Sequence, residues 1–308
     1  MENTMKLSSS NEWSKLKSIV VGSATHANWP SNDPVFSQEH LKTLWHETPV
    51  PSGPVPQWIV DEANEDLDEL ATVLTKLGVE VFRPNEMNFV ERNGMYNYCP
   101  RDRLLIADNC VINPAMMYPC RDQELETLDF VLDRAQTVKN MPRNTGMVMD
   151  AANVCRLGST WLYLLSDSGN QLALDWLRDK LPNINIEACN FYNGVHIDST
   201  IVPLREGFVV LNASRVTPDN CPKAFDGWTK LWVNDVEAQS FHEYPYASKW
   251  IGLNMLSIDP KTVIVDKAQY TLIEDLEKAG FTTIPLQLRH SRTLGGGFHC
   301  VTLDLERE

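Results

Sequence analysis

No stretch of this chain stays apolar for the roughly 20 residues that a membrane-spanning helix needs, so no membrane association is expected. Basic residues are in short supply: 27 Lys and Arg stand against 41 Asp and Glu, a formal net charge of −14. Binding along a nucleic-acid backbone requires clustered Lys and Arg, which argues against a nucleic-acid partner. An acidic field of this size instead draws in small cations. There is no CxxC pair, and the seven cysteines, at 99, 110, 120, 155, 189, 221 and 300, are scattered and odd in number. That argues against a disulfide framework and a zinc site, so reduced thiols and no metal are expected. The opening residues, Met1-Glu2-Asn3-Thr4-Met5-Lys6-Leu7, have neither an apolar h-region nor an Arg-rich character, and a cytoplasmic protein is expected. No linker or low-complexity stretch divides the sequence. The reading is a single domain over residues 1–308.

What is present is a globular composition, 43% hydrophobic and 22% charged, ample for a sizeable core. Leu16 to Gly22 reads as a buried opening strand. Residues 24–58, rich in Pro, Ser, Trp and His, suit a long surface loop. From Val60 onward Ala63, Leu67, Leu70, Leu74 and Leu77 keep a helical period that Gly78 ends, with a strand at 79–82. The same helix–turn–strand order returns at 172–187 and at 267–284. Between these units, strand pairs are expected at 103–113, at 147–155 with 160–165, and at 195–203 with 207–212. This recurrence predicts repeated α/β units rather than one wound sheet.

Four stretches place polar groups where the pattern calls for core. Leu294-Gly295-Gly296-Gly297-Phe298-His299-Cys300 puts a thiol after three glycines, at a turn where backbone can approach a ligand closely. Tyr98-Cys99-Pro100-Arg101-Asp102 precedes an apolar strand, and Met147-Val148-Met149-Asp150-Ala151-Ala152 sets an acid inside one. Asn193-Gly194-Val195-His196-Ile197-Asp198 alternates His196 and Asp198 onto one face if it is a strand. An acid in an apolar strand is costly unless paired. Each feature alone suits a satisfied structural group; together they describe a site. A guanidinium is planar, cationic and rich in donors, and carboxylates match it bidentately. Asp102 and Asp198 would grip it and present its central carbon to Cys300. His196 would move the proton, with Asp150 fixing its tautomer. His299, one residue from the thiol, is expected on the opposite strand face in a structural role. Cys99 is expected to be packing, Trp228, Trp232 and Trp250 core or interface, and Arg292 solvated surface.

The strings YCPRD, MDAANVCR, HIDST followed by ASR, ASKW and LGGGFHC resemble the amidinotransferases, and within them the arginine:glycine group most closely. The resemblance runs from about Tyr98 to Asp304, with only a similar opening strand before it. It implies a pentein fold, a five-bladed α/β propeller of ββαβ-type repeats, with the active site in its central channel. Matched residue by residue, it implies Cys300 as nucleophile, His196 as general acid/base, Asp150 as the carboxylate behind the histidine, and Asp102 and Asp198 as guanidinium ligands. It further implies that Arg215 binds a substrate α-carboxylate, that Ser248 lies near the same end, and that Asn193 and Val195 belong to the loop that differs with acceptor. The chain departs from that pattern at Asn153, where the vertebrate enzymes have a second Asp, and at Val195, where the glycine enzyme carries a bulkier Met. It also departs in a shorter 118–150 segment.

The function so implied is cofactor-free, ping-pong transfer of the amidino group of L-arginine to glycine or a similar amine, through an amidino-Cys300 intermediate. Two alternatives share the chemistry: an arginine deiminase, with water as acceptor, and an amidinotransferase for a larger amine of secondary metabolism. A non-catalytic arginine-binding protein is a third reading, and leaves Cys300 and His196 without a task. The oligomeric state stays open, a homodimer being one option.

Overall fold

Apolar periodicity becomes helix where it is expected, shifted by a few residues. In the computed structural model, which describes residues 6–33, 35–36 and 50–308, the first long helix is Gln57–Lys76. It buries Ile59, Val60, Ala63, Leu67, Leu70 and Leu74 along one stripe. It starts three residues earlier than expected because Pro56, with φ −51°, occupies the N-cap, a position where the missing N–H costs nothing. Gly78, at φ +83°, turns the chain out of the helix into the strand Glu80–Phe82.

That helix belongs to the first of five similar blades. Each blade is a three-stranded sheet with one antiparallel and one parallel pair. In the first, Leu16–Val21 is central, antiparallel to Thr302–Arg307 and parallel to Glu80–Phe82. The second is built from Leu105–Ala107, Cys110–Asn113 and Thr137–Asn140. The third has Val154–Leu157, Thr160–Leu164 and Asn185–Cys189, with helix Gln171–Lys180 crossing between the last two. The fourth has Ile201–Arg205, Phe208–Asn212 and Thr229–Val233, and the fifth Leu256–Asp259, Thr262–Asp266 and Thr282–Leu286. A parallel partner requires a crossover, and helix Tyr270–Lys278 supplies it in the fifth blade. In the second it is a 3₁₀ run, Pro119–Leu128, leading into the short helix Asp129–Leu132. The five-bladed ββαβ propeller expected from the sequence is the observed architecture: the chain has the pentein fold.

Three expectations need correction. Residues 24–58 are not simply a surface loop: Ala24, Ala27, Trp29, Phe36 and Val55 are buried, and Asn28–Trp29 pairs with Gly53–Pro54. Trp29, Phe36 and Tyr246 stack as flat rings with centroids 5.7–5.8 Å apart, so this aromatic-rich stretch packs rather than solvates. Residues 37–49 lie outside the described residues. The other two corrections concern strands that are shorter than expected. Strand begins only at Val154 and at Ile201, after Asp150 and after His196 and Asp198 respectively. Asp150 leads into a 3₁₀ turn, Ala151–Asn153, and His196 has φ +61°, a left-handed backbone that a strand cannot contain.

Candidate active site

The five blades repeat a loop as well as a sheet. In each, the residues just before the first strand of the unit turn towards a shared buried cluster, and those five loops carry every polar group of the site. Asp102 ends the 3₁₀ turn Pro100–Asp102 before Leu105. Asp150 precedes Val154, Asp198 precedes Ile201, Asn254 precedes Leu256, and Cys300 precedes Thr302. One loop position, repeated about the ring, thus provides an acid, an acid, a histidine–acid pair, an amide and a thiol.

Cys300 is 3% exposed and belongs to the same apolar cluster as Phe298, Tyr118 and Phe36. It is therefore enclosed, not displayed at an open tip. Its Sγ donates to Asp198 Oδ2 at 3.2 Å. Burial pushes the thiol well above its usual range, and Asp198 and Asp102 add to the rise, so the resting group is SH. The glycines before it serve packing. A Cβ on Gly296 would sit 2.4 Å from Cys99 Sγ, and one on Gly297 would sit 2.6 Å from Asn254 Cβ. These contacts press the loop against Asn254, whose Oδ1 accepts from His299 N and from Cys300 N, both at 2.9 Å. The sequence does not single out this role of Asn254, whereas Cys99 is the buried packing residue expected of it.

His196 faces two acids. Its Nε2 bonds Asp150 Oδ2 at 2.9 Å, and its Nδ1 lies 3.6 Å from Asp102 Oδ1. Burial alone would lower its pKa, but Asp102, Asp150 and Asp198 outweigh that and hold it at about 9. It is an imidazolium at neutral pH. Its left-handed backbone costs on the order of 1–2 kcal/mol. Tyr192 holds it, its hydroxyl lying against the carbonyls of Val195 (2.9 Å) and His196. Met117 N donates to Asp150 Oδ1 at 2.9 Å and fixes the acid from behind.

Asp102 has a partner that the sequence reading lacks. Arg121, in the Pro119–Leu128 run, donates from Nη1 to Asp102 Oδ2 at 2.7 Å and bonds Glu124 through Nε and Nη2, each at 2.9 Å. All three side chains are buried. Asp102 Oδ1 is left buried without a hydrogen-bond partner, turned to the side where His196 lies. Asp198 is held ionised: burial would raise its pKa, but His299, His196 and the Asn254 side chain bring it to about 2. Its Oδ2 also accepts from His299 Nδ1 at 2.9 Å, so His299 does not point to an opposite strand face; it lies in the turn ahead of the strand.

The remaining expected residues sit nearer the rim. The half-buried Arg215 donates to Thr200 Oγ1 at 2.8 Å and stacks 4.0 Å from the Tyr192 ring centroid. Val195 packs against the cluster that contains Cys300. Ser248 is the N-cap of the 3₁₀ turn Lys249–Leu253, its carbonyl accepting from Ile251 N at 3.1 Å. Asn193 is exposed, its carbonyl accepting from Asp167 N at 3.2 Å, so its side chain is not brought into the buried group. Arg292 donates to the carbonyls of Ala247 and Gln239 and lies over Phe241, which ties it to the fold. Asn153 is fully buried and bonded to Leu164 O, Ser166 and Ser168.

Known proteins resemble this chain in sequence and in fold. No protein-family model matches the chain. Inosamine-phosphate amidinotransferase 1 of Streptomyces glaucescens is 38% identical over 332 residues, covering 96% of this chain and 95% of that protein. The mitochondrial glycine amidinotransferase of Xenopus tropicalis is 28% identical, over 96% of this chain and 82% of its own. Among solved structures, the inosamine-phosphate amidinotransferase of Streptomyces griseus superposes with a TM-score of 0.89 at 35% identity, covering 98% and 97% of the two chains. Two expectations change. Likeness is greater to the inosamine-phosphate enzymes than to the glycine enzyme, and it extends well into the first 97 residues. The chain belongs to the amidinotransferase family.

Proposed function

We propose that the protein moves the amidino group of L-arginine to an amine larger than glycine, of the kind met in secondary metabolism, through an amidino-Cys300 intermediate. The observation that carries this reading is the convergence of Cys300, His196, Asp150, Asp102 and Asp198 in one buried group, in a chain 38% identical to an inosamine-phosphate enzyme. The guanidinium would lie between Asp102 Oδ1 and Asp198, and as the cation binds, its charge would favour release of the Cys300 proton to solvent. The thiolate attacks the guanidinium carbon, and the His196 imidazolium protonates the leaving nitrogen. Ornithine departs as the free amine, and the amidino group stays on sulfur as a cation. The acceptor amine then attacks the same carbon, gives its proton to neutral His196, and restores the thiolate. Arg215, whose partners are a hydroxyl and an aromatic face, is free to take the α-carboxylate of arginine. Val195 leaves more room beside the site than a Met would, which supports a larger acceptor. Ser248 and Asn193 remain rim residues in this reading.

Glycine is the second reading, favoured by the 28% identity to the glycine enzyme. Incubation with arginine and a panel of amines, namely glycine, lysine and an inosamine phosphate, separates the two. Ornithine beyond one equivalent per enzyme that appears only with the larger amines supports the proposal, and preference for glycine reverses it. Citrulline formed without any amine makes the protein a deiminase.

A further inference from the structure

His299 is a largely buried basic group, its side chain 13% exposed, that the transfer chemistry above does not use. Both of its ring nitrogens face carboxylates: Nδ1 lies 2.9 Å from Asp198 Oδ2, and Nε2 lies 3.3 Å from Glu12 Oε2. Only an imidazolium can donate to both at once. Glu12 is itself immobilised by Arg156, with Nε to Oε1 and Nη2 to Oε2 each at 2.9 Å. Arg156 continues to Asp304 at 2.9–3.0 Å, and Asp304 is shared with Arg101 and Arg307. An alternating row of buried charges therefore runs from beneath the nucleophile: Asp198, His299, Glu12, Arg156, Asp304. His299 is anchored on its backbone side too, since its N–H donates to Asn254 and its carbonyl accepts from Arg101 Nε at 3.4 Å.

The charged groups facing His299 are Asp198, Glu12 and Arg101. Burial and Arg101 disfavour its proton, and the two carboxylates outweigh them. The same Asp198 oxygen that takes the His299 proton also accepts from Cys300 Sγ. A carboxylate tied in this way cannot rotate, and it stays charged. A carboxylate facing a thiol alone would have only that weak donor to favour its ionised form and would have two orientations open to it.

We propose that His299, protonated between Asp198 and Glu12, is a positioning residue for amidino transfer: it fixes Asp198, ionised, against Cys300 and keeps it available to a guanidinium down to acid pH. The inference rests on arginine being the donor. It assigns Glu12, far away in sequence, to the same device, as the group that keeps the imidazolium charged.

The test is the first half-reaction, ornithine released per enzyme in a single turnover with L-arginine alone, followed against arginine concentration and pH. Wild-type protein that releases no ornithine would overturn the donor reading, not this one. In His299→Phe the half-saturating arginine concentration should rise about tenfold or more because Asp198 is no longer held in place. Separately, the acid limb should move to higher pH because Asp198 loses a cation that favours its ionised form. His299→Asn keeps an N–H near the Nδ1 position but carries no charge. It should recover most of the arginine affinity at pH 8 while leaving the acid limb displaced. Glu12→Gln leaves His299 protonated at acid pH, so its acid limb should stay in place; His299→Asn covers the case of a His299→Phe protein that does not fold. A merely structural histidine would lower the maximal rate with neither half-saturation nor acid limb moving. That pattern in the soluble His299 variants overturns the proposal.

Discussion

Replacement of Asn254 by Ala tests how the nucleophile is held. Asn254 is 2% exposed, and its one carbonyl oxygen accepts from two consecutive backbone N–H groups, His299 and Cys300, each at 2.9 Å. Ala removes that oxygen and leaves two buried donors without a partner. Each orphaned donor costs about 1–3 kcal/mol, so the expected loss is about 2–6 kcal/mol of folding stability. The cavity left against Gly297 adds to it. The loop then shifts, and a displacement of about 1 Å at a reacting centre costs on the order of 100-fold in rate. Asn254→Asp is a partial control: it keeps the accepting oxygen but loses the Nδ2 donor to Asp198 O at 3.4 Å and sets a second charge beside Asp198. It should therefore recover only part of the stability, while its charge raises the Cys300 thiol further and slows turnover. Chemical denaturation followed by tryptophan fluorescence, with ornithine release from arginine in parallel, measures both effects. A midpoint within about 0.5 kcal/mol of wild type together with normal ornithine release by Asn254→Ala would refute the assignment.

Asp150→Asn should lower the His196 pKa from about 9, because it removes a carboxylate that favours the imidazolium. The alkaline limb of ornithine release should therefore fall to lower pH; an unmoved limb separates Asp150 from His196. Gly296→Ala forces a Cβ to 2.4 Å from Cys99 Sγ and should cost about 1–3 kcal/mol. Cys99→Ala in the same chain should recover part of that loss in a thermal melt, whereas no recovery would place the strain elsewhere. Arg121→Met leaves Asp102 and Glu124 buried without their cation, an expected loss of about 3–5 kcal/mol that denaturation measures directly. Arg215→Leu should weaken arginine binding and spare any acceptor without a carboxylate; equal binding of arginine by that variant removes Arg215 from the donor site.

Elements whose pattern is local were legible in the sequence. Leu67, Leu70 and Leu74 repeat at helical spacing and are buried on one stripe, and the helix–turn–strand recurrence announced the repeated blades. The acids and the thiol were legible as polar groups out of place among apolar neighbours. Their local geometry was not. The alternation around His196 and Asp198 imitates a strand, yet a positive φ at His196 makes the segment a turn, and the side-chain pattern carries no record of φ. Partners contributed from afar were equally hidden. Arg121 reaches Asp102 across 19 residues, Asn254 reaches Cys300 across 46, and Glu12 reaches Arg156 across 144. Nothing local marks Arg121, Asn254 or Glu12 apart from other polar residues of their type.

The pairing of Thr302–Arg307 with Leu16–Val21 has a bearing on how the protein comes to life. The first blade borrows a strand made almost 300 residues later, so during synthesis it waits, one edge bare, while four blades form behind it. Loop closure over such a distance is slow, and an uncovered edge invites wrong partners. Cys300 sits two residues before that borrowed strand, and its carbonyl faces Arg101 N at 3.4 Å, in the first of the repeated loops. The step that seals the ring is thus the step that seats the thiol. An unfinished chain would hold its acids and its histidine but have no seat for the sulfur, and reactivity would arrive with the final strand.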